Sequence, residues 1–278
     1  MVKIITDSTC DITLEEQISM GITVVPLSVN FGEKSYKDGI QISREEFYNK
    51  LELAEELPTT SQVNPAEFED AFREALKDGD DVVAICLSSE LSGTYQSAVL
   101  AADMIESEKL YLVDTGTVTL GLALLIKEAV KLRDTGHNGK EIAARIQEIS
   151  KQVQILAVID TLKYLKMGGR LSATSAMVGS FLGIHPILKV QEGKILPIGK
   201  VRSIKAGIRK LKEYLEEEGV DYTYGFAFGH SNATDKLEHC MEYMTPYVDT
   251  KDFIICNIGS VVGTHAGPGV VGVAFITK

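Results

Sequence analysis

The sequence predicts an α/β protein of two domains: an N-terminal parallel sheet flanked by helices, and a C-terminal mixed α+β layer. Three observations predict it. Up to about residue 150, short apolar runs alternate with helix-length amphipathic stretches, the pattern of a parallel sheet with helices on both faces. Beyond that point "HPILKVQEGKILPIGKV" folds back on itself at Glu192-Gly193 as a hairpin, which implies antiparallel pairing. The length of 278 residues exceeds one ordinary domain, and no segment repeats with a period of about 20–50 residues. The boundary is placed near residue 152, giving domains 1–152 and 153–278.

The elements follow in order. "VKIITD" reads as a first strand, and Thr13 with Glu16 forms a capping box for a short helix. "ITVVPLSVNF" is strand-like, and Ser43 with Glu46 caps the helix "REEFYNKLEL". Asn64-Pro65 opens another helix, whose Phe68, Ala71, Phe72 and Ala75 recur at helical spacing. Then come the strand "DVVAICLS", the helix "TYQSAVLAADMI", the strand "KLYLVDT" and helices over 118–134 and 139–151. In the second half "VQILAVID" is a strand, and the helical stretch from Thr161 breaks at Gly168-Gly169. After the hairpin come the helix "IKAGIRKLKEYLEEEG", the strand "YTYGFAFGH", a helix reaching residue 245, and the strands "DFIICNIG" and "GVVGVAFIT".

Composition excludes several classes. The chain is 45% hydrophobic and 24% charged, normal for a globular protein, and no apolar run is long enough to span a membrane. No basic region or cleavage site precedes "VKIITD", and the four cysteines (Cys10, Cys86, Cys240, Cys256) are scattered. A cytoplasmic location is expected, with no structural metal and no cofactor. The net charge of −11 argues against nucleic acid as a partner. That charge is uneven. Residues 163–212 carry eleven Lys and Arg against the single acid Glu192, which leaves −21 for the rest. A basic block in an acidic chain suits an acidic partner or a phosphate.

Three polar clusters fall at strand ends or helix starts: "DSTCD" (7–11), "TTSQ" (59–62) and "SSELSGTYQS" (88–97). On a parallel sheet such positions converge on one crevice beyond the strand carboxyl ends. Ser92 is placed to cap the following helix, Gly93 to let a ligand approach the backbone, and the helix start to favour an anion. "GSVVGTHAGPG" (259–269) sets His265 in a glycine-rich loop, where an ordinary pKa near 6.5 would let it change charge near neutral pH. There is no P-loop, no dinucleotide fingerprint and no nucleophile elbow. Hydroxyls, a histidine and glycines without a nucleophile–base–acid set are the profile of a site for a polar head group, with no catalytic residue of its own.

"DSTCDI", "TTSQ", "SSELSGTYQSA", "LKYLKMGGRLS", "IHPIL", "GKVRS" and "GTHAGPG", in this order over the whole chain, resemble the DegV family. The resemblance implies a long-chain fatty acid held between the two domains. It further implies a non-catalytic, fatty-acid-binding subunit of a bacterial fatty acid kinase. A separate kinase subunit would phosphorylate the bound carboxylate from ATP, giving an acyl-phosphate for phospholipid synthesis. Carried onto this sequence, Thr60 and Ser92 would hydrogen-bond the carboxylate, with Ser61, Gly93 and His265 close by. Apolar residues within 171–188 are candidates for the tunnel wall. Arg170 and Arg202 in the basic block are candidates for docking the kinase, and transient contact with a membrane fits a lipid carrier. Two positions depart from the family pattern: Val63, where Pro is commoner, and His185, where Lys is commoner, which removes a positive charge near the domain junction. The alternatives are an acyl hydrolase or acyltransferase using Ser92 with His265, and a lipid-responsive regulatory sensor.

Overall fold

The structure, a computed structural model, describes residues 1–172 and 183–278. The chain opens with the buried strand β1 (Val2–Asp7) and a 3-10 turn at Ser8–Cys10. Helix α1 (Leu14–Met20) starts at the Thr13–Glu16 capping box and ends at Gly21, whose φ of 61° suits glycine. "ITVVPLSVNF" is not one strand. Proline has no N–H for a ladder, and the chain divides at Pro26 into β2 (Ile22–Val25) and β3 (Ser28–Phe31), which join different sheets. Next come β4 (Lys34–Lys37) and α2 (Arg44–Leu53), the latter capped by Ser43 and Glu46. The cluster "TTSQ" is partly strand, β5 (Thr59–Ser61), and leads into α3 (Pro65–Leu76), boxed by Asn64 and Glu67. The half closes with β6 (Asp81–Cys86), α4 (Thr94–Ile105), β7 (Leu110–Asp114), α5 (Thr119–Asp134) and α6 (Gly139–Ile149).

The second half begins with β8 (Val153–Val158) and the short helix α7 (Lys163–Met167). The hairpin is β9 (His185–Gln191) and β10 (Lys194–Val201). Its turn has positive φ at both Glu192 (49°) and Gly193 (73°), the backbone twist that two-residue hairpins need. Then follow α8 (Ile204–Glu218), β11 (Phe226–His230), α9 (Thr234–Met244), β12 (Phe253–Asn257), α10 (Ser260–Ala266) and β13 (Val271–Ile276). Helix α10 corrects the glycine-rich loop expected around His265.

The described strands form three sheets. The first is all parallel, in the order β2-β1-β6-β7. The second has six strands in the order β10-β9-β8-β13-β11-β12, antiparallel except for the β11–β12 pair. The third is a small antiparallel sheet, β4-β3-β5, that carries Thr60 opposite Val29. Helix α5 is the hinge of the packing. Every residue from Thr119 to Ile126 is buried, and the helix touches β1 of the first sheet and β8, β11, β12 and β13 of the second. One apolar core therefore runs through both halves, from Val2 and Ile4 to Ala274 and Ile276. Among the described residues no helix is long and apolar enough to cross a membrane.

Candidate ligand-binding site

A cavity lies between the carboxyl ends of the parallel sheet and the inner face of the six-stranded sheet. Its wall is apolar over most of its extent: Leu27, Leu87, Leu91, Val118 and Leu120 from the first half, and Ile155, Ala157, Ile159, Leu188, Val190 and Ile195 from the second. Six polar side chains also line it: Thr9, Thr60, Ser92, Thr119, Arg170 and His265. The three hydroxyl-rich clusters thus meet here, through Thr9, Thr60 and Ser92.

Thr60 and His265 are 205 residues apart in the chain, yet Thr60 Oγ1 and His265 Nε2 share a hydrogen bond of 2.8 Å. Strand β5 presents Thr60 on the face towards α10, which carries His265 one residue from its end. The other ring nitrogen, Nδ1, is buried without a hydrogen-bond partner among the described residues. Burial and the nearby Arg170 cation push the imidazole pKa from 6.5 down to about 4. His265 is therefore neutral at pH 7, which corrects the expectation that it changes charge near neutrality. Among the described residues no carboxylate bonds this ring, so the orienting acid of a Ser-His-Asp arrangement is missing.

Ser92 lies one residue before the cap of α4 rather than at it. The cap is Gly93, which has no side-chain bond, and Ser92 Oγ accepts the Thr94 N–H at 3.3 Å and meets Thr94 Oγ1 at 3.0 Å. A side chain at position 93 would displace Gln62. A Cβ there would stand 2.1 Å from Gln62 Oε1. Gln62 in turn donates to Ser97 Oγ at 2.8 Å, so the 59–63 and 88–97 stretches are pinned together. Gly93 does not line the cavity, and neither does Ser61. Successive side chains of a strand point to opposite faces, and Ser61 Oγ accepts from Asn30 Nδ2 at 2.9 Å on the exposed side.

Arg170 is half-buried and lies on the cavity wall. Its guanidinium donates to the carbonyls of Leu91 at 3.2 Å and Gly168 at 2.6 Å. Arg202, by contrast, is exposed in the turn before α8 and takes no part in the cavity. Of the wall candidates in 171–188, Leu188 lines the cavity; residues 173–182 lie outside the described residues. His185 Nδ1 sits 3.1 Å from Asp160 Oδ1, beside Lys236, which bonds both oxygens of the same carboxylate. A cation thus already faces that acid. Val63 is fully buried, and its N–H points at Thr94 Oγ1 at 3.4 Å.

Beneath the hydroxyls is a set of buried acids. Asp7 accepts from Thr9 N and Oγ1 and from Leu87 N. Asp11 accepts from Thr119 Oγ1 and Gly259 N, and Asp38 from Ser260 N and Oγ. Asp11 and Asp38 thereby hold the first amides of α10, which has no side-chain cap of its own. Burial raises all three: Asp7 to about 6, Asp11 to about 7, and Asp38 upward from 3.8. Among the described residues no cluster of His, Cys, Asp and Glu could hold a metal ion, and all four cysteines are free and buried. Sequence reasoning marked "DSTCD" as polar but could not foresee that Asp7 and Asp11 turn inward, or that Asp11 holds the start of a helix some 250 residues away.

The profile of the DegV family, described as an uncharacterised protein family, matches residues 1–278. A DegV domain-containing protein of Caldanaerobacter subterraneus is 38% identical over 278 residues, covering 100% of this chain and 99% of the relative. Protein DegV of Bacillus subtilis is 32% identical over 282 residues, covering 100% and 99%. Among solved structures, a DegV family protein of Thermus thermophilus described for fatty acid binding superposes with a TM-score of 0.90 at 28% identity, covering 100% and 99%. A stearic-acid-binding protein of Eubacterium ventriosum gives the same TM-score, identity and coverage. The B. subtilis DegV structure, described as a fatty acid binding protein, gives 0.87 at 31% identity, also covering 100% and 99%. With its whole length matched and its fold shared from end to end, this chain belongs to the DegV family.

Proposed function

We propose that this protein binds a long-chain fatty acid in the cavity, where the 1–152 and 153–278 domains meet, and presents its carboxyl group to a separate kinase subunit. The kinase would transfer the γ-phosphoryl of ATP to the carboxylate oxygen, leaving ADP and an acyl-phosphate for phospholipid synthesis. The observation that carries the binding half is the cavity's division into polar groups and apolar wall. Ser92, Arg170 and the hydrogen-bonded Thr60–His265 pair supply hydrogen-bond donors, and aliphatic side chains supply nearly all the rest. That suits an anionic head with a hydrocarbon tail.

The physical terms are consistent with a carrier. Burying about fifteen methylenes at roughly 0.8 kcal/mol each gives on the order of 12 kcal/mol gross, before the cost of association. The head group adds orientation. A carboxylate leaving water needs several donors, and the Ser92 hydroxyl, the Thr60–His265 pair and the Arg170 guanidinium are placed to supply them. Among the described residues His265 Nδ1 has no acid partner, and Ser92 bonds Thr94, which favours a binding role for both. Ser61 and Gly93 support the head-group loops from outside the cavity, and Arg202 is available to the kinase at the surface. Mass spectrometry of the protein as purified tests the reading. A co-purified fatty acid at near-stoichiometric amount is expected. Absence of any fatty acid, with no uptake of a labelled one by the delipidated protein, refutes it.

A further inference from the structure

The register of the six-stranded sheet places Gly229, Gly272, Ala157 and Leu188 side by side on neighbouring strands β11, β13, β8 and β9. All four line the cavity, so this row is a trough in its floor, perpendicular to the strands. At the β11 end the trough is filled. The side chain of Leu120 lies over Gly229 so closely that a Cβ there would meet Leu120 Cδ1 at 2.7 Å.

Leu120 is held in that position. Thr119 before it has φ of 44°, a left-handed backbone that a β-branched residue rarely adopts. Its hydroxyl donates to Asp11, whose other oxygen accepts the Gly259 N–H at the start of α10. The strained turn is therefore tied to the helix that flanks the cavity. Val261, Val262, His265 and Ala266 form the helix face along the cavity, with His265 near its far end. At 1.5 Å per residue, the Gly259 and His265 ends are about 9 Å apart. An extended alkyl chain with bonds near 1.5 Å and angles near 111° advances about 1.25 Å per carbon. A tail that leaves His265 along α10 reaches the level of Leu120 at about its seventh to ninth carbon.

We propose that Leu120 is a specificity-determining residue that selects tails straight at mid-chain. By occupying the space over Gly229 it denies a cis-bent tail the sideways room its kink needs. The inference rests on the fatty-acid reading above and deepens it. The test is competition between palmitic acid and its cis-9 monounsaturated analogue for delipidated full-length protein, with wild type, Leu120→Ala and Leu120→Met. Wild type is expected to favour the straight acid by about tenfold, the scale at which a hydrophobic pocket discriminates one small group. Leu120→Ala should bring the ratio near unity, chiefly by tighter binding of the bent acid, while Leu120→Met, similar in volume, should keep the preference. A wild type without preference overturns the assignment, as does an unchanged ratio in a Leu120→Ala protein that still binds palmitate. If wild type binds neither acid, the fatty-acid reading itself fails first.

Discussion

Thr60 and Ser92 illustrate what a single hydroxyl contributes. Each should account for about 1.5–3 kcal/mol of affinity, because a buried carboxylate left short of a donor keeps its full desolvation penalty. Thr60→Ala and Ser92→Ala are each expected to weaken binding of a labelled fatty acid by ten- to a hundredfold, and an unchanged double variant would refute the assignment. His265 behaves differently from a free histidine. With its pKa near 4 it stays neutral above about pH 5. His265 should therefore contribute no pH dependence to binding from pH 6 to 8, and an NMR titration of the ring should show no protonation in that interval. Asp11 supplies the opposite case. Its carboxyl titrates near 7 when folded and near 4 when unfolded, so its contribution to stability is complete below pH 4 and lost as pH rises through 7. Asp11→Asn should flatten the rise of the denaturation midpoint on acidification from pH 8 to 5. The variant's midpoint should be at or above the wild-type value at pH 8, since the Thr119 hydroxyl can turn to accept from an amide. The hydroxyl clusters were legible in the sequence because each is local. The Thr60–His265 bond and the Asp11–Gly259 bond were not, since both depend on chain closure over more than two hundred residues.

Elements were legible in proportion to how local their signals are. The capping boxes at Thr13, Ser43 and Asn64 fix three helix starts by bonds made within four residues, and all three are present. Asn64→Ala should cost about 1 kcal/mol in denaturant unfolding, the ordinary worth of a cap. In the small sheet β4-β3-β5, β3 fell within the strand-like "ITVVPLSVNF", but β4, β5 and the sheet itself were illegible for the converse reason. Its strands are three or four residues long, too short for a period, and β5 is wholly hydroxylated. Helix α10 was read as a loop because glycine is a poor helix former, yet Asp11 and Asp38 anchor its start from outside. Gly93 gives a test of how two elements fit. Gly93→Ala should destabilise the fold and weaken ligand binding, and adding Gln62→Ala should recover much of both, because the clash is with the Gln62 side chain. Failure of the second change to restore thermal stability would show that the backbone at residue 93 matters instead.

At the scale of the molecule, the alternation of strands and helices foretold the parallel sheet and the crevice at its carboxyl end. The charge asymmetry was legible too, but not its distribution. Lys189, Lys210 and Lys212 are spent on Glu218, Glu213 and Glu216, and Arg170 faces inward. Arg202 stays exposed. Arg202→Glu should leave fatty-acid binding intact and lower the rate of phosphorylation by the kinase, with the difference shrinking as salt screens the contact. A wild-type rate across a salt series would refute that role. Arg170→Ala should instead weaken binding itself. The position of β13 carries a consequence for synthesis. Strand β13, made after every other described strand, is an inner strand of the six-stranded sheet, inserted between β8 and β11. Until it arrives, β8 and β11 have no common neighbour, and α5, made some 150 residues earlier, lacks part of its cover. Every nascent chain must therefore wait, with α5 incompletely covered, until β13 is made. A protein stopped at residue 270 should be an insoluble or protease-sensitive product, not a slightly weakened binder.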